Sequence, residues 1–381
     1  METVSEKEKN PVLAYLKALP KRFFITAFSG MAQGLFVSLI AGTILAQIAG
    51  WIGVDHFDAG GNLIKGNYVG NTLLYIANIA KSLMGAGIGV GIAYALGKNK
   101  LLIFSAAIAG QVGAFADKLM IGAATPFASL TWGTPGNPIG AYVVVMLCIE
   151  LVSLYAGKTK LDIILIPLGV MVLALAGVFV AFPFIELVKL LGNAIEKATE
   201  ITPFFMGIII AVAMGILLTM PTSSAAIWLS FALGNESNAM LLAGGAATVG
   251  CACHMIGFAV ASFRENGIGG LISQGVGTSM LQIPNVMKKP QIMLPMVISS
   301  AICGPLATCV FGLQCGASGG GMGTSGLVGV FDLFKYTPMT PLGIAGIILL
   351  MFVLPAALNL GISEFMRAKG WIKSGDMKLA D

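Results

Sequence analysis

The chain has 381 residues, of which 57% are hydrophobic and 10% charged, with a formal net charge of +5 and a mean hydropathy of +0.90. A water-soluble domain carries about a quarter charged residues, so this composition excludes a soluble globule and indicates an all-α polytopic membrane protein. The small positive excess gathers into no basic face, which excludes a nucleic-acid binder. The apolar stretches are continuous rather than alternating, which argues against a transmembrane β-barrel.

Residues 1–22 are polar, and Lys17, Lys21 and Arg22 stand just before the first long apolar run. That is the pattern of an uncleaved signal-anchor with a cytoplasmic N-terminus. A helical crossing takes about 20 residues. The apolar runs predict about ten crossings, near 23–53, 69–96, 101–122, 138–156, 162–182, 203–220, 239–261, 268–284, 291–311 and 341–363. Lys98 and Lys100, Lys158 and Lys160, Lys288 and Lys289, and Arg367, Lys369, Lys373 and Lys378 then share the side of the N-terminus. By the positive-inside rule both termini are cytoplasmic.

Three stretches are apolar yet too broken to span: 122–137, 219–226 and 312–332, the last containing Gly-Ala-Ser-Gly-Gly-Gly-Met-Gly-Thr-Ser-Gly. Irregular backbone at membrane depth survives only where protein or a wet cavity satisfies it, so they are expected to be re-entrant hairpins rather than surface loops. Residues 184–200 alternate apolar and charged positions at helical spacing, the mark of a helix lying in the membrane plane. The expected organisation is a cytoplasmic segment 1–22, a first bundle 23–183, an in-plane connector 184–202, a second bundle 203–365 and a cytoplasmic tail 366–381. Within the second bundle Gly-Val-Gly-Thr-Ser-Met-Leu at 275–281 echoes Gly-Met-Gly-Thr-Ser-Gly-Leu at 321–327.

Ionisable groups inside a membrane are costly and mark function. Candidates are Lys81, Asp117 with Lys118, Glu150, His254, Arg264 with Glu265, and Asp332 with Lys335. Helix-end snorkelling accounts equally for the Asp/Lys pairs, and a buried salt bridge for Glu150. His254 sits mid-segment, where an imidazole is either a satisfied core residue or a hydrogen-bonding and proton-carrying centre. Ser262-Phe-Arg-Glu-Asn-Gly267 is either a solvated turn or a grip for hydroxyl groups, since a carboxylate and a carboxamide each engage two neighbours. Gln274, Thr278 and Gln282 fall on one helical face at i, i+4, i+8, which suits a neutral hydroxylated ligand or helix–helix hydrogen bonding.

Cys251, Cys253 and His254 lack a zinc spacing, and the six cysteines read as packing residues. No metal or other cofactor is expected. The phosphate-cradling Gly-x-x-x-x-Gly-Lys-Ser/Thr motif and the His-Glu-x-x-His motif are missing from the sequence, so ATP hydrolysis is excluded and any chemistry depends on an external donor.

Several strings carry a family resemblance: Thr134-Pro-Gly-Asn-Pro-Ile-Gly-Ala141, Gly157-Lys-Thr-Lys-Leu-Asp-Ile163, Met220-Pro-Thr-Ser-Ser-Ala-Ala226, Ala246-Ala-Thr-Val-Gly-Cys251, Arg264-Glu-Asn266, Gly277-Thr-Ser-Met-Leu-Gln-Ile-Pro-Asn285 and Gly321-Met-Gly-Thr-Ser-Gly-Leu327. They resemble the membrane subunit, enzyme IIC, of the phosphoenolpyruvate-dependent sugar phosphotransferase system, and most nearly its stand-alone PfoR-like subgroup. The resemblance runs over about 20–365. It implies a homodimer in a bacterial cytoplasmic membrane, with the first bundle at the dimer interface and the second carrying substrate by an elevator-like motion. It also implies separate IIB and IIA phosphocarrier partners, and a His and a Glu near the sugar, for which His254 and Glu265 are the candidates. The Gly-Ile-Thr-Glu-Pro string of glucose-type relatives is absent, and Gly321–Ser325 stands at a comparable late position without a carboxylate.

The function expected is therefore a IIC-type permease for a small polar, carbohydrate-like solute, held among Thr222, Ser223, His254, Glu265, Gln282, Asn285, Thr324 and Ser325. If coupled, the chain is the membrane component of a sugar phosphotransferase, with His254 and Glu265 catalytic and a phosphorylated IIB protein as donor. The alternatives are a IIC-derived membrane sensor or regulator without phosphoryl transfer, and an uncoupled or ion-coupled carrier of a non-sugar metabolite.

Overall fold

The structure is a computed structural model that describes residues 19–58, 61–120, 136–220 and 224–379. Fourteen helices are labelled here in chain order. The first group comprises α1 (Leu19–Ile52), α2 (Tyr68–Ser82), α3 (Met84–Ala95), α4 (Lys100–Ala114), α5 (Pro138–Val152) and α6 (Asp162–Ile201). The second comprises α7 (Pro203–Thr219), α8 (Ser224–Ala232), α9 (Asn238–Ala261), α10 (Phe263–Ile272), α11 (Ile283–Lys288), α12 (Pro290–Val310), α13 (Val328–Tyr336) and α14 (Pro341–Ala368). Two two-residue strands, His56–Phe57 and Leu63–Ile64, pair antiparallel between α1 and α2.

Five of these helices, α1, α6, α9, α12 and α14, are long and apolar enough to cross a membrane, and the bent pair α2–α3 makes a sixth candidate. The shorter apolar helices α4, α5 and α7 supply further hydrophobic rods. The chain is an all-α polytopic membrane protein.

The bend between α2 and α3 measures 53° and has a specific cause. A break at Leu83 frees backbone groups that must be paired when buried. The carboxamide of Gln111 on α4 does this, donating to the Ser82 carbonyl at 2.9 Å and accepting from the Ala86 N–H at 3.0 Å. Side chains of Asn67, Asn99 and Ser237 likewise cap the first turns of α2, α4 and α9.

Helices α1 and α3 approach until Gly30 faces Gly91 and Gly34 faces Gly87, so closely that a methyl group at any of these positions would strike the opposing backbone. The largest apolar core gathers Met31, Leu35, Ile88, Leu102, Val144, Ile166 and Ile185 from α1 to α6, and Ala226 and Leu229 of α8 join it. Smaller cores form around Val249, Cys303 and Leu350, around Met214, Trp228 and Met255, and around Phe258, Ile292, Met296 and Met377.

Two expected elements differ in the structure. Residues 268–284 form no continuous crossing: α10 runs into a wide turn over Ser273–Gly277, Thr278 is extended (φ −161°, ψ 142°), and a single tight turn, Ser279–Gln282, follows. The glycines at 275 and 277 weaken helix, and the Thr278 hydroxyl takes the Met280 N–H at 3.1 Å, which stabilises the break. The stretch 184–200 is not a separate helix either, because α6 runs unbroken for 40 residues through Pro167 and Pro183. The stretch 122–137 lies outside the described residues except at 136 and 137.

Candidate functional site

Residues 312–327 form an irregular stretch, and most of it is buried against helices. Its backbone is satisfied by side chains, as irregular structure in an apolar setting requires. Trp228 Nε1 donates to the Gly316 carbonyl at 3.2 Å, Ser224 Oγ to Gly321 at 2.7 Å and Thr248 Oγ1 to Gly319 at 3.3 Å. Asp332, 3% exposed, closes the arrangement from α13: its Oδ2 accepts from the N–H groups of Gly316 (2.8 Å) and Gly319 (3.0 Å). It organises the loop and does not snorkel.

The two echoing strings meet. Thr324 Oγ1 donates to the Gly275 carbonyl at 2.6 Å, and Ser325 Oγ to that of Gly277 at 2.9 Å. Hydroxyls at the fourth and fifth positions of the later string thus hold the first and third positions of the earlier one.

Beside this staple a cleft of about 380 Å³ opens between α1 and the second group of helices. Ser29 and Gln33 reach it from α1, Leu218 from α7, Ser224 from α8, Thr278 and Met280 from the broken segment, and Met322 and Ser325 from the irregular loop. The volume lies in the range of small-molecule sites. Directly behind this wall lies His254. Its Nδ1 is 2.9 Å from Thr219 Oγ1, which is 3.0 Å from Ser279 Oγ. Thr219 follows Leu218 in the chain, and Ser279 stands between Thr278 and Met280. His254 is fully buried, and its Nε2, packed against Gly215, has no polar partner among the described residues.

The remaining predicted residues lie elsewhere. Glu265 Oε1 pairs with Arg367 at 3.0 Å and Oε2 accepts from the Met377 N–H at 2.8 Å, so it faces the C-terminal segment and shares no partner with His254. Gln282 bonds Gln274 and the Met377 carbonyl, each at 2.9 Å, and Asn285 bonds Gln282 and the Lys378 carbonyl. Gln274 and Gln282 thus meet through a fold-back rather than as a helical stripe. Thr222 and Ser223 lie outside the described residues. Glu150 is held by Arg22 at 2.9 Å. Among the described residues no cluster of three His, Cys, Asp or Glu side chains could hold a metal. Nothing local in the sequence ties Thr219 and Ser279 to His254.

The helical fold and a cleft walled by broken segments define a membrane protein of the transporter class. A family model described as phosphotransferase system, EIIC matches residues 25–379, and the chain belongs to that family. The family comprises membrane permease components of sugar transport that usually work with IIB and IIA partners. No curated protein and no solved structure matches the chain.

Proposed function

We propose that the chain carries a small hydroxylated solute of the carbohydrate class through the cleft between α1 and the second helical group. The observation that carries this reading is the cleft itself, where Ser29, Gln33, Ser224, Thr278 and Ser325 stand among otherwise apolar lining residues. Groups of this kind bind neutral polyols by donating and accepting at once. Thr222 and Ser223, nominated by the sequence alone, are proposed as further solute contacts.

His254 is the buried polar centre behind this wall. A buried ring nitrogen without a partner costs about 1–3 kcal/mol, a cost retained where a group has work to do. Its proposed role is to hold Thr219 and Ser279, and with them both walls, in register with the solute. In the coupled form a separate IIB protein delivers the phosphoryl group, the first helical group forms a homodimer, and both termini face the cytoplasm of a bacterial cell. Glu265, the other candidate for the chemistry, reaches the solute only in an arrangement where it has left Met377.

The test is uptake into proteoliposomes. A panel of sugars is followed with and without phosphorylated IIB, and Gln33→Ala and Ser325→Ala are each expected to slow uptake by about 3–10-fold, the worth of one hydrogen bond. Phosphorylated sugar inside the vesicles supports the coupled form, and free sugar inside an uncoupled carrier. Binding without flux would replace the permease with a sensor.

A further inference from the structure

The final residues of the described chain are held in an unusual way. Residues 376–379 contribute no regular structure, yet half of their backbone polar groups are bonded by side chains of a different region. The Met377 N–H donates to Glu265 Oε2 at 2.8 Å, and the Leu379 N–H to Asn266 Oδ1 at 2.8 Å. The Met377 carbonyl accepts from both Asn266 Nδ2 and Gln282 Nε2 at 2.9 Å, and the Lys378 carbonyl from Asn285 Nδ2 at 2.9 Å. At one end Lys289 Nζ reaches both oxygens of Asp376, at 2.7 and 2.8 Å. The Met377 side chain is fully buried, in a core shared with Phe258, Val286, Ile292 and Met296.

Carboxamides and a carboxylate aimed at main-chain groups, an apolar pocket for one side chain and a cation for the preceding acid make up a peptide-recognition groove. We propose that residues 262–289 form a receptor for a short peptide of the type Asp-Met-Lys-Leu, filled in cis by residues 376–379 of the same chain. Occupancy fixes the broken segment, because Gln274 and Gln282 are bonded to each other across the turn that presents Thr278 to the cleft. Emptying the groove takes a main-chain partner from each of Glu265, Gln282 and Asn285 and loosens that turn. The inference goes beyond the transport reading and stands or falls separately, because its readout is local opening rather than uptake.

The experiment uses the full chain in lipid nanodiscs and hydrogen exchange resolved to peptides covering 262–289. Met377→Asp places a charge in the apolar pocket and is expected to speed exchange there by at least about fivefold, while α4 and α9 stay protected. A labelled synthetic peptide, Asp-Met-Lys-Leu-Ala-Asp, should bind this variant and not the parent protein, and should restore protection. Lys289→Glu alone should open the groove, and Lys289→Glu with Asp376→Lys should close it again, which separates release of the segment from misfolding. Parent-like exchange in both single variants, or no peptide binding by Met377→Asp, would overturn the proposal.

Discussion

The Nδ1 atom of His254 and the hydroxyl of Thr219 lie 2.9 Å apart, both fully buried, and the same hydroxyl is 3.0 Å from Ser279. One hydroxyl, with a single proton to donate and lone pairs to accept, meets three neighbours, since Thr219 also stands 3.2 Å from the Gly215 carbonyl. The contact therefore ties α7, α9 and the broken segment at a single atom.

Thr219→Val keeps the shape and removes the oxygen. It leaves Nδ1 of His254 and the Ser279 hydroxyl without this partner, at an expected cost of about 1–3 kcal/mol. Thermal unfolding in detergent should show the loss. Thr219→Ser should recover most of it. Equal midpoints for Val and Ser would show that the hydroxyl contributes nothing.

Asp332→Ala removes the acceptor of two buried N–H groups in the irregular loop. A buried N–H left without its acceptor costs about 1–3 kcal/mol, so this should rank among the most destabilising single changes in the second half of the chain. Asp332→Asn keeps an acceptor oxygen and should cost less. Protease cleavage within 312–327 is the direct measure, with Ala cut faster than Asn and Asn faster than the parent.

Gln111→Leu matches the volume of the carboxamide but leaves the Ser82 carbonyl and the Ala86 N–H unpaired. The expected loss is about 2 kcal/mol, read as a lowered unfolding midpoint. Gln111→Glu retains an acceptor for Ala86 only and should fall between. A Leu variant as stable as the parent would mean that the bend satisfies itself.

Acid should loosen the C-terminal segment. Burial opposes ionisation of Asp376, but the Lys289 ammonium, with the Lys373 N–H and charge, outweighs it and holds the carboxyl below the usual range. A group with a depressed folded value contributes fully above its unfolded value, about 4, and its contribution fades as pH falls through the folded one. Hydrogen exchange at 376–379 should therefore be flat from pH 7 to about 5 and rise below about 4, after correction for intrinsic rates. In Asp376→Asn the rise should vanish.

Much of the architecture follows from local pattern. The apolar runs near 69–96, 203–220, 239–261, 291–311 and 341–363 coincide with helices, because burial of long apolar stretches leaves the backbone few alternatives to helix. The broken stretch expected at 312–332 rests on glycine density; 312–327 is irregular and largely buried, whereas 328–332 already belong to α13. The stripe of Gln274, Thr278 and Gln282 misled, because periodicity assumes a helix and Thr278 is extended. The patterning of a crossing over 162–182 and an amphipathic stretch from 184 suggests two helices, yet burial of Ala181 and Ile185 on either side of Pro183 carries α6 through. The pairing of Glu265 with Arg367 and Met377 joins residues about a hundred positions apart, and no local signal announces it.

The length of α6 has a mechanical outcome. Forty residues make a rod of about 60 Å, seated against α5 near one end and against α7 and α9 near the other. A pivot of about 5° at one end displaces the far end by about 5 Å, one helical turn. Pro183 removes one rung of hydrogen bonding near the midpoint, so the rod is most pliant there, and stiffening it by Pro183→Ala would alter how a tilt in one half is delivered to the other.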